Sequence, residues 1–231
     1  MLTACVLAAA ACLAVAIAAG GTAYAMLTRK PTSAELSAAA AAGAASRWQR
    51  SPAGEIFPAG LGYTTDLLTQ ETARRIGISP GYGCAGAVDA AVAGLVRRDG
   101  CRAALRATYL DQLQGVVYTL GVLAFPGPRE AAAFLSRYHA GRYPLGGLRA
   151  LAIPGTAAAR FGDTARQAAS ARQAGPYVVL TVAGYADGRP AAAAGERRPS
   201  VFAPATQLAA EIGAPLSQPV TVNCADREWS C

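Results

Sequence analysis

The sequence predicts an α+β fold, in which a single N-terminal transmembrane helix is followed by a largely antiparallel sheet with helices packed on one face. Three observations favour this fold class. Residues 1–28 contain no charged side chain. Further along, runs rich in β-branched and aromatic residues are joined in pairs by short turns, which is typical of antiparallel strands. Between these runs lie segments whose apolar residues recur at helical spacing.

The composition limits the chain to one ordinary domain with an N-terminal extension, since 231 residues leave no room for a second catalytic domain. Hydrophobic residues make up 53% of the chain and charged residues 15%, which excludes a disordered acidic chain, collagen and a coiled coil. His139 is the only histidine, so a zinc site built from several histidines is also excluded. No cofactor is expected.

The apolar N-terminal segment is long enough to cross a membrane once. A helix over residues 1–28 rises 1.5 Å per residue and exceeds a hydrocarbon layer about 30 Å thick. A cleaved signal peptide is the alternative, because Ala23, Tyr24 and Ala25 form a small-x-small cleavage pattern. A lipid-modified Cys5 is a further alternative, which would require a different start codon.

Two signals disagree about the side of the membrane on which the main domain lies. Arg29 and Lys30 follow the apolar segment, and the positive-inside tendency would keep the domain in the cytoplasm. Four cysteines beyond that segment form an even set, which is typical of disulfides in an oxidising compartment. They are Cys84, Cys101, Cys224 and Cys231. We give the cysteines more weight and predict a single-pass cell-membrane protein whose C-terminal domain lies outside the cytoplasm.

The pairing of these cysteines is open from the sequence. Cys224 and Cys231 close a short loop easily, because bridged Cα atoms must lie within about 7 Å of each other. Cys84 and Cys101 can pair only if the helix between them starts late, near Val88, since a longer helix would carry the chain too far. The alternative pairs one cysteine of the first two with one of the last two.

The chain divides into three parts by composition. Residues 1–28 are the transmembrane helix or signal anchor. Residues 29–54 form an alanine-rich juxtamembrane linker that is nearly free of large apolar side chains. Residues 55–231 form the extracytoplasmic α+β domain.

Within the predicted domain, hydrophobic spacing separates helices from strands. Helices are predicted at 65–76, 88–96, 129–142 and 201–212. Strands are predicted at 103–110, 116–125, 148–153, 164–173 and 177–184. Short turns at 111–115 and 174–176 join four of these strands into two hairpins, and a low-complexity loop covers 186–199.

A glycine pattern raises the possibility of a nucleotide site. Gly81, Gly83 and Gly86 match G-x-G-x-x-G, whose glycines let the backbone approach a pyrophosphate at a helix N-terminus. The surrounding pattern does not fit, because Pro80 stands where a buried strand should end and a helix is predicted before the motif. We keep nucleotide binding as an alternative to a flexible connection between two helices.

A serine hydrolase is a second enzymatic alternative. The stretch from Gly77 to Gly81 fits G-x-S-x-G, which holds a nucleophilic serine on a turn between a strand and a helix. Ser79 would need His139 as its base, and no strand is predicted before it. We therefore expect a non-catalytic protein and keep the enzyme as the alternative.

Four arginines cluster in the sequence. They are Arg97, Arg98, Arg102 and Arg106. Arg102 and Arg106 alternate with apolar residues and would line one face of a strand. A solvated polar face is the simplest interpretation, whereas the functional one is a binding patch for an acidic polymer or a phospholipid headgroup. Nucleic acid is not expected, because no stacking aromatic residues interleave these arginines.

Three stretches carry a family resemblance. They are GCRAALRATYLD at Gly100 to Asp111, RFGDTARQA at Arg160 to Ala168, and AGPYVVLTVAGYADGRP at Ala174 to Pro190. There the chain resembles membrane-anchored secreted proteins of unknown function from high-GC Gram-positive bacteria, the actinobacterial hypothetical proteins. The resemblance implies a secreted domain behind one span, and it implies no functional residue. In layout the chain is more loosely similar to extracellular sensor domains of bacterial receptor kinases.

Together these observations predict a non-catalytic binding or interaction module at the outer face of the cell membrane. The membrane itself would be contacted through residues 1–28. The expected partner is a protein or an anionic component of the cell envelope.

Overall fold

The computed structural model describes residues 2–81, 83–138, 147–190 and 199–223. Two compact units are present, and the second of them, Ala40–Thr221, contains the sheet. Over the described residues the chain forms eight α-helices and six β-strands, so the predicted α+β class is confirmed.

The first unit contains helix α1, Leu2–Thr28, and the start of α2, Ser33–Ala45. In the part of the chain that is described, none of the helices has both the length and the apolar character needed to cross a bilayer. The transmembrane helix predicted for residues 1–28 therefore has no support from the structure.

Helix α2 begins with a reciprocal cap, in which two residues three positions apart bond to each other's backbone. The backbone N–H of Thr32 donates to Glu35 Oε2 at 2.8 Å, and the N–H of Glu35 donates to Thr32 Oγ1 at 3.3 Å. This arrangement is a capping box, and it satisfies two of the free N–H groups at the helix start. Arg29 adds a hydrogen bond from Nη1 to Glu35 Oε2 at 2.8 Å.

Lowering the pH is expected to open this cap. The hydrogen bond from Arg29, followed by those from Thr32, lowers the pKa of Glu35 to about 2. Because the folded pKa is lowered, the contribution of the cap is present above pH ~4 and is lost as the pH falls toward 2. A ¹³C NMR titration of the Glu35 carboxyl should give a midpoint near 2, and a higher midpoint in Arg29→Gln. A wild-type midpoint near 4 would contradict this expectation.

The sheet has six strands in the order β1-β2-β3-β4-β6-β5, and every neighbouring pair is antiparallel. The strands are β1 (Gly60–Thr64), β2 (Gln70–Ile78), β3 (Ala103–Leu110), β4 (Val116–Ala124), β5 (Arg166–Ala174) and β6 (Tyr177–Tyr185). The two hairpins predicted from the sequence, β3–β4 and β5–β6, are confirmed with shifts of a few residues at their ends.

The remaining helices of the sheet unit are short, apart from the last. They are α3 (Arg47–Arg50), α4 (Ala53–Ile56), α5 (Cys84–Ala87), α6 (Ala90–Arg98), α7 (Pro128–Arg137) and α8 (Pro204–Ser217). The helices predicted at 88–96, 129–142 and 201–212 correspond to α6, α7 and α8. Residues 139–146, which include the predicted end of the second of these helices and His139, lie outside the described residues.

The expectation that helices cover only one face of the sheet is wrong. One hydrophobic cluster joins the sheet to α8, through residues such as Leu208 and Ile212. A second cluster joins the opposite face to α6 and α7, through residues such as Val92 and Phe134. The physical reason is that β4 is buried along its whole length, so side chains on both of its faces require cover.

The helix predicted at 65–76 is also wrong, because this segment forms a turn and strand β2. Strand β2 pairs with β1 on one side, with Leu61 opposite Ala73, and with β3 on the other. The apolar residues that suggested a helix do not share a face: Ala73 is fully buried, whereas Leu67 is 81% exposed at the tip of the turn. Pairing with β3 satisfies the backbone of β2 through contacts distant in sequence.

The strand predicted at 148–153 is wrong as well, since this segment crosses one face of the sheet without joining it. Leu148 packs on Gly121, where an added Cβ would overlap Leu148 Cδ1. Two buried threonine hydroxyls bind the backbone of Leu151: its N–H donates to Thr119 Oγ1 at 3.1 Å, and its carbonyl accepts from Thr108 Oγ1 at 2.6 Å. Side chains therefore replace the hydrogen bonds that a neighbouring strand would supply.

The sheet unit begins at Ala40, within the segment that the sequence assigned to a linker. Tyr177 on β6 holds this segment, because its hydroxyl donates to the carbonyl of Ala44 at 2.7 Å and accepts from the N–H of Trp48 at 3.2 Å. The Arg47 guanidinium donates to the carbonyls of Leu216 and Gln218, each at 2.8 Å. These bonds satisfy free carbonyls at the C-terminal end of α8.

Candidate anion-binding face

The candidate site lies at the end of the sheet where β3 begins and β4 ends, and a disulfide fixes its backbone. Helix α6 ends at Arg98, and Gly100 then reverses the chain in the left-handed conformation with φ +73°. The N–H of Cys101 donates to the carbonyl of Val96 at 2.9 Å. Cys101 is bonded to Cys84 with a Cα–Cα distance of 6.2 Å.

The Cys84–Cys101 bond is the local one of the two pairings that the sequence left open. It forms because the helix between the two cysteines is interrupted: α5 ends at Ala87, and α6 begins only at Ala90. The late helix start that this pairing required is therefore present. Cys224 and Cys231 lie outside the described residues.

Four exposed arginines surround this turn and define what we call the basic face. They are Arg97, Arg98, Arg102 and Arg129. Arg97 and Arg98 occupy the last turn of α6, where cations are favourable for the helix dipole. The N–H of Arg102 donates to the carbonyl of Ala124 at 2.8 Å, which places Arg102 beside the end of β4. Arg129 follows in the first turn of α7.

A shallow depression of about 390 Å³ separates the two sides of the basic face. Arg98 lines it from the α6 side, and Arg129 lines it from the α7 side. Pro126 forms part of its floor, 3.5 Å from where a Cβ on Gly100 would lie. Glu130 also lines the depression and is a carboxylate within it.

The other acidic residue at this site, Asp99, does not neutralise the basic face. Its side chain is 3% exposed and forms an ion pair with Arg137, which is 40% exposed. The four arginines of the basic face form no ion pair with any carboxylate that the structure describes. The four arginines outnumber the one carboxylate, Glu130, that lines the depression beside them, and such an excess of guanidinium groups at one end of a domain attracts anions.

Arg106, the fourth arginine predicted for this patch, lies elsewhere. It is half-buried on the α6–α7 face of the sheet, and its Nη1 donates to the carbonyl of Arg149 at 3.0 Å. Burial, followed by the charge of Arg149, lowers the pKa of the Arg106 guanidinium. Its neighbour Ala104 is fully buried, so these alternating residues of β3 do not form a solvated face.

Sequence analysis missed Arg129, because it follows Arg102 by 27 positions. The predicted β3–β4 hairpin contained the signal that could have revealed it. Antiparallel pairing sets Ala103 opposite Ala124, so residues just after β4 must lie close to residues just before β3.

The glycine motif is not arranged as a dinucleotide site. A strand, β2, precedes it, contrary to the sequence interpretation, but the helix that contains Gly86 has only four residues. The next strand, β3, runs antiparallel to β2, whereas a dinucleotide-binding unit has parallel strands. An added Cβ on Gly81, Gly83 or Gly86 would meet no atom of the described residues within 4 Å, so no described contact requires glycine there.

Ser79 follows β2 and bonds to its own turn. Its hydroxyl donates to the carbonyl of Gly81 at 3.2 Å, and its N–H donates to the carbonyl of Arg106 at 2.8 Å. His139, which would have been its base, is not among the described residues.

Within the described ranges, no group of three or more histidine, cysteine or acidic side chains could hold a metal ion. No protein-family model, no curated protein and no solved structure matches this chain.

Proposed function

We propose that the sheet unit is a non-catalytic binding module for an anionic component of the cell envelope, and that the basic face is its binding surface. One observation carries the proposal: four exposed arginines that form no ion pair with a described carboxylate lie at one end of the sheet, two of them lining one depression, on a backbone closed by a disulfide. Arg98 and Arg129, which both line the depression, would contact the ligand most directly.

The chemistry of the ligand follows from the guanidinium group. Arginine binds phosphate and carboxylate oxygens through paired N–H donors, and such charge-assisted bonds are stronger than neutral ones. The depression is shallow and open, which suits one anionic group of a polymer or a lipid headgroup better than an enclosed small molecule. These features favour an anionic envelope component over a partner protein, which the sequence had left as an equal choice.

The proposed location is the outer face of the cell membrane. The Cys84–Cys101 disulfide supports it, because disulfides persist in oxidising compartments. Attachment through residues 1–28 is part of the proposal, since this segment has no charged residue. In α1, side chains such as Leu13 and Ile17 are more than 60% exposed, so a large apolar surface is left uncovered.

The test is to remove two charges from the basic face. In Arg98→Gln/Arg129→Gln, affinity for a soluble polyphosphate should fall by roughly 30-fold, since each arginine near an anionic surface contributes about 1 kcal/mol. Isothermal titration calorimetry on the detergent-solubilised full chain measures this. A parallel titration with short-chain phosphatidylglycerol, kept below its micelle concentration, distinguishes a polymer from a single headgroup.

The matched control is Arg74→Gln/Arg160→Gln, which removes the same charge from the opposite end of the sheet. Both control residues are exposed and form no ion pair with the carboxylates that the structure describes. The control should bind polyphosphate as the wild type does. Equal losses in the two double variants would show attraction to net charge alone and would contradict a defined basic face.

A further inference from the structure

Two hairpin tips project from the end of the sheet opposite the basic face. The turn between β1 and β2 covers residues 65–69, and the turn between β3 and β4 covers residues 111–115. Because β2 and β3 are antiparallel neighbours, with Arg74 opposite Leu110, both turns extend from the same end of the sheet.

Three leucines at these turns are almost fully exposed, and we call them the leucine tips. Leu67 is 81% exposed, Leu68 is 84% exposed and Leu113 is 86% exposed. Across the described part of Ala40–Thr221, they are the only large apolar side chains that are exposed. Isolated surface leucines are ordinary, but here all three share one end of one domain.

The turns that present these leucines are held in place by hydrogen bonds. Across the first turn, the N–H of Thr65 donates to the carbonyl of Thr69 at 2.9 Å, and the N–H of Leu68 donates to the carbonyl of Thr65 at 3.0 Å. In the second turn, the N–H of Val116 donates to Asp111 Oδ1 at 2.9 Å. The leucines therefore lie on hydrogen-bonded turns, and this preorganisation lowers the entropic cost of a contact.

One of the leucine tips lies at a backbone position that is unusual for its residue type. Leu68 has φ +61° and Gln114 has φ +56°, and within the described ranges these are the only residues other than glycine in the left-handed region. This conformation is unfavourable for leucine, and glycine would adopt it without strain. Packing does not compensate at Leu68, because its side chain contacts solvent.

We propose that the leucine tips insert into the apolar layer of a lipid bilayer. Three leucines on two separate turns offer only a few hundred Å² of apolar surface, whereas a stable protein interface buries about 800 Å² on each partner. A bilayer requires no complementary groove, so a small rigid apolar contact is sufficient there. Asp66 and Asp111 adjoin the tips, so the contact does not depend on anionic lipid. The inference is independent of anion binding by the basic face.

The experiment places a fluorescent reporter at one tip of the full chain. Leu113→Trp is mixed with vesicles of zwitterionic phosphatidylcholine, with and without bromine on the acyl chains, and the signal of the native tryptophans is subtracted using wild type. Bromine quenches only tryptophan that reaches the acyl layer. Arg172→Trp, at an exposed position of β5 near the β5–β6 turn, is the matched control. Near-UV circular dichroism verifies that each variant is folded.

The inference predicts a loss of emission from Leu113→Trp in brominated vesicles, no loss from Arg172→Trp, and a smaller loss when Leu67→Ser/Leu68→Ser is added. Unquenched emission from Leu113→Trp would overturn it, as would equal quenching of both reporters. An emission shift that occurs without lipid and grows with protein concentration would indicate that the leucine tips contact a second copy of the chain. That result would also overturn the proposal. Because the vesicles carry no anionic lipid, failure here leaves the polyphosphate result unaffected.

Discussion

Phe134→Ala is expected to lower the free energy of unfolding of the sheet unit by about 3–5 kcal/mol. Phe134 on α7 is fully buried, with its ring centroid 5.3 Å from that of Phe125 and 5.4 Å from that of Tyr138. Truncation removes these contacts and leaves a cavity between α7 and the sheet. Urea denaturation followed by circular dichroism measures the change.

Two further variants make this result specific. Ser136→Ala, at an exposed position of the same helix, should alter stability by no more than about 0.5 kcal/mol. Leu208→Ala, on α8 at the opposite face of the sheet, should cost about 2–5 kcal/mol. A small effect of Phe134→Ala together with a large effect of Leu208→Ala would indicate that only one face of the sheet carries a core.

Removal of the disulfide by Cys84→Ala/Cys101→Ala is expected to lower the free energy of unfolding by about 3 kcal/mol. The two cysteines are 17 positions apart, and a bridge closing a loop of this size restricts the unfolded chain by about that amount. The variant should also bind polyphosphate less tightly, because the turn that carries Arg98 and Arg102 is no longer tied to α5.

The control for this prediction is Cys12→Ser, which alters a cysteine that is free and exposed in α1. Its unfolding midpoint in urea should equal that of the wild type. If the double cysteine variant were as stable as Cys12→Ser, the disulfide would have no part in maintaining the fold.

The local parts of this fold could be predicted from the sequence. The hairpins β3–β4 and β5–β6 are pairs of β-forming runs joined by short turns, so pattern and pairing agree. Strand β2 could not be predicted in the same way, because its pairing with β3 joins residues 29 to 36 positions apart along the chain. The apolar residues of 65–76 suggested a helix, and long-range pairing overrides this local pattern.

The packing of helices on both faces of the sheet could have been predicted from the sequence. The runs VVYTLGVLA in β4 and YVVLTVAG in β6 are apolar apart from one threonine each and do not alternate with polar residues, which is typical of strands buried on both sides. The segment 148–153 was harder, because nothing in its own sequence shows that the hydroxyls of Thr108 and Thr119 would bind its backbone.

The candidate site was predictable only where its residues are close in sequence. Arg97, Arg98 and Arg102 lie on either side of one turn and remain together in the structure. The sequence could not show that Arg106 lies apart from these three, because alternation along β3 does not reveal which face of the strand packs against helices. Arg129 could be assigned to the site only from the register of the β3–β4 hairpin, because no sequence motif links it to the other three arginines.

We propose that the sheet unit is an extracytoplasmic domain closed by the Cys84–Cys101 bond. The most direct test is peptide mapping of full-length protein taken from its native host after free thiols have been blocked. We expect a peptide pair linked through Cys84 and Cys101 that separates only after reduction. Recovery of both cysteines in their blocked, reduced form would contradict the disulfide, the location outside the cytoplasm and the binding face that depends on them.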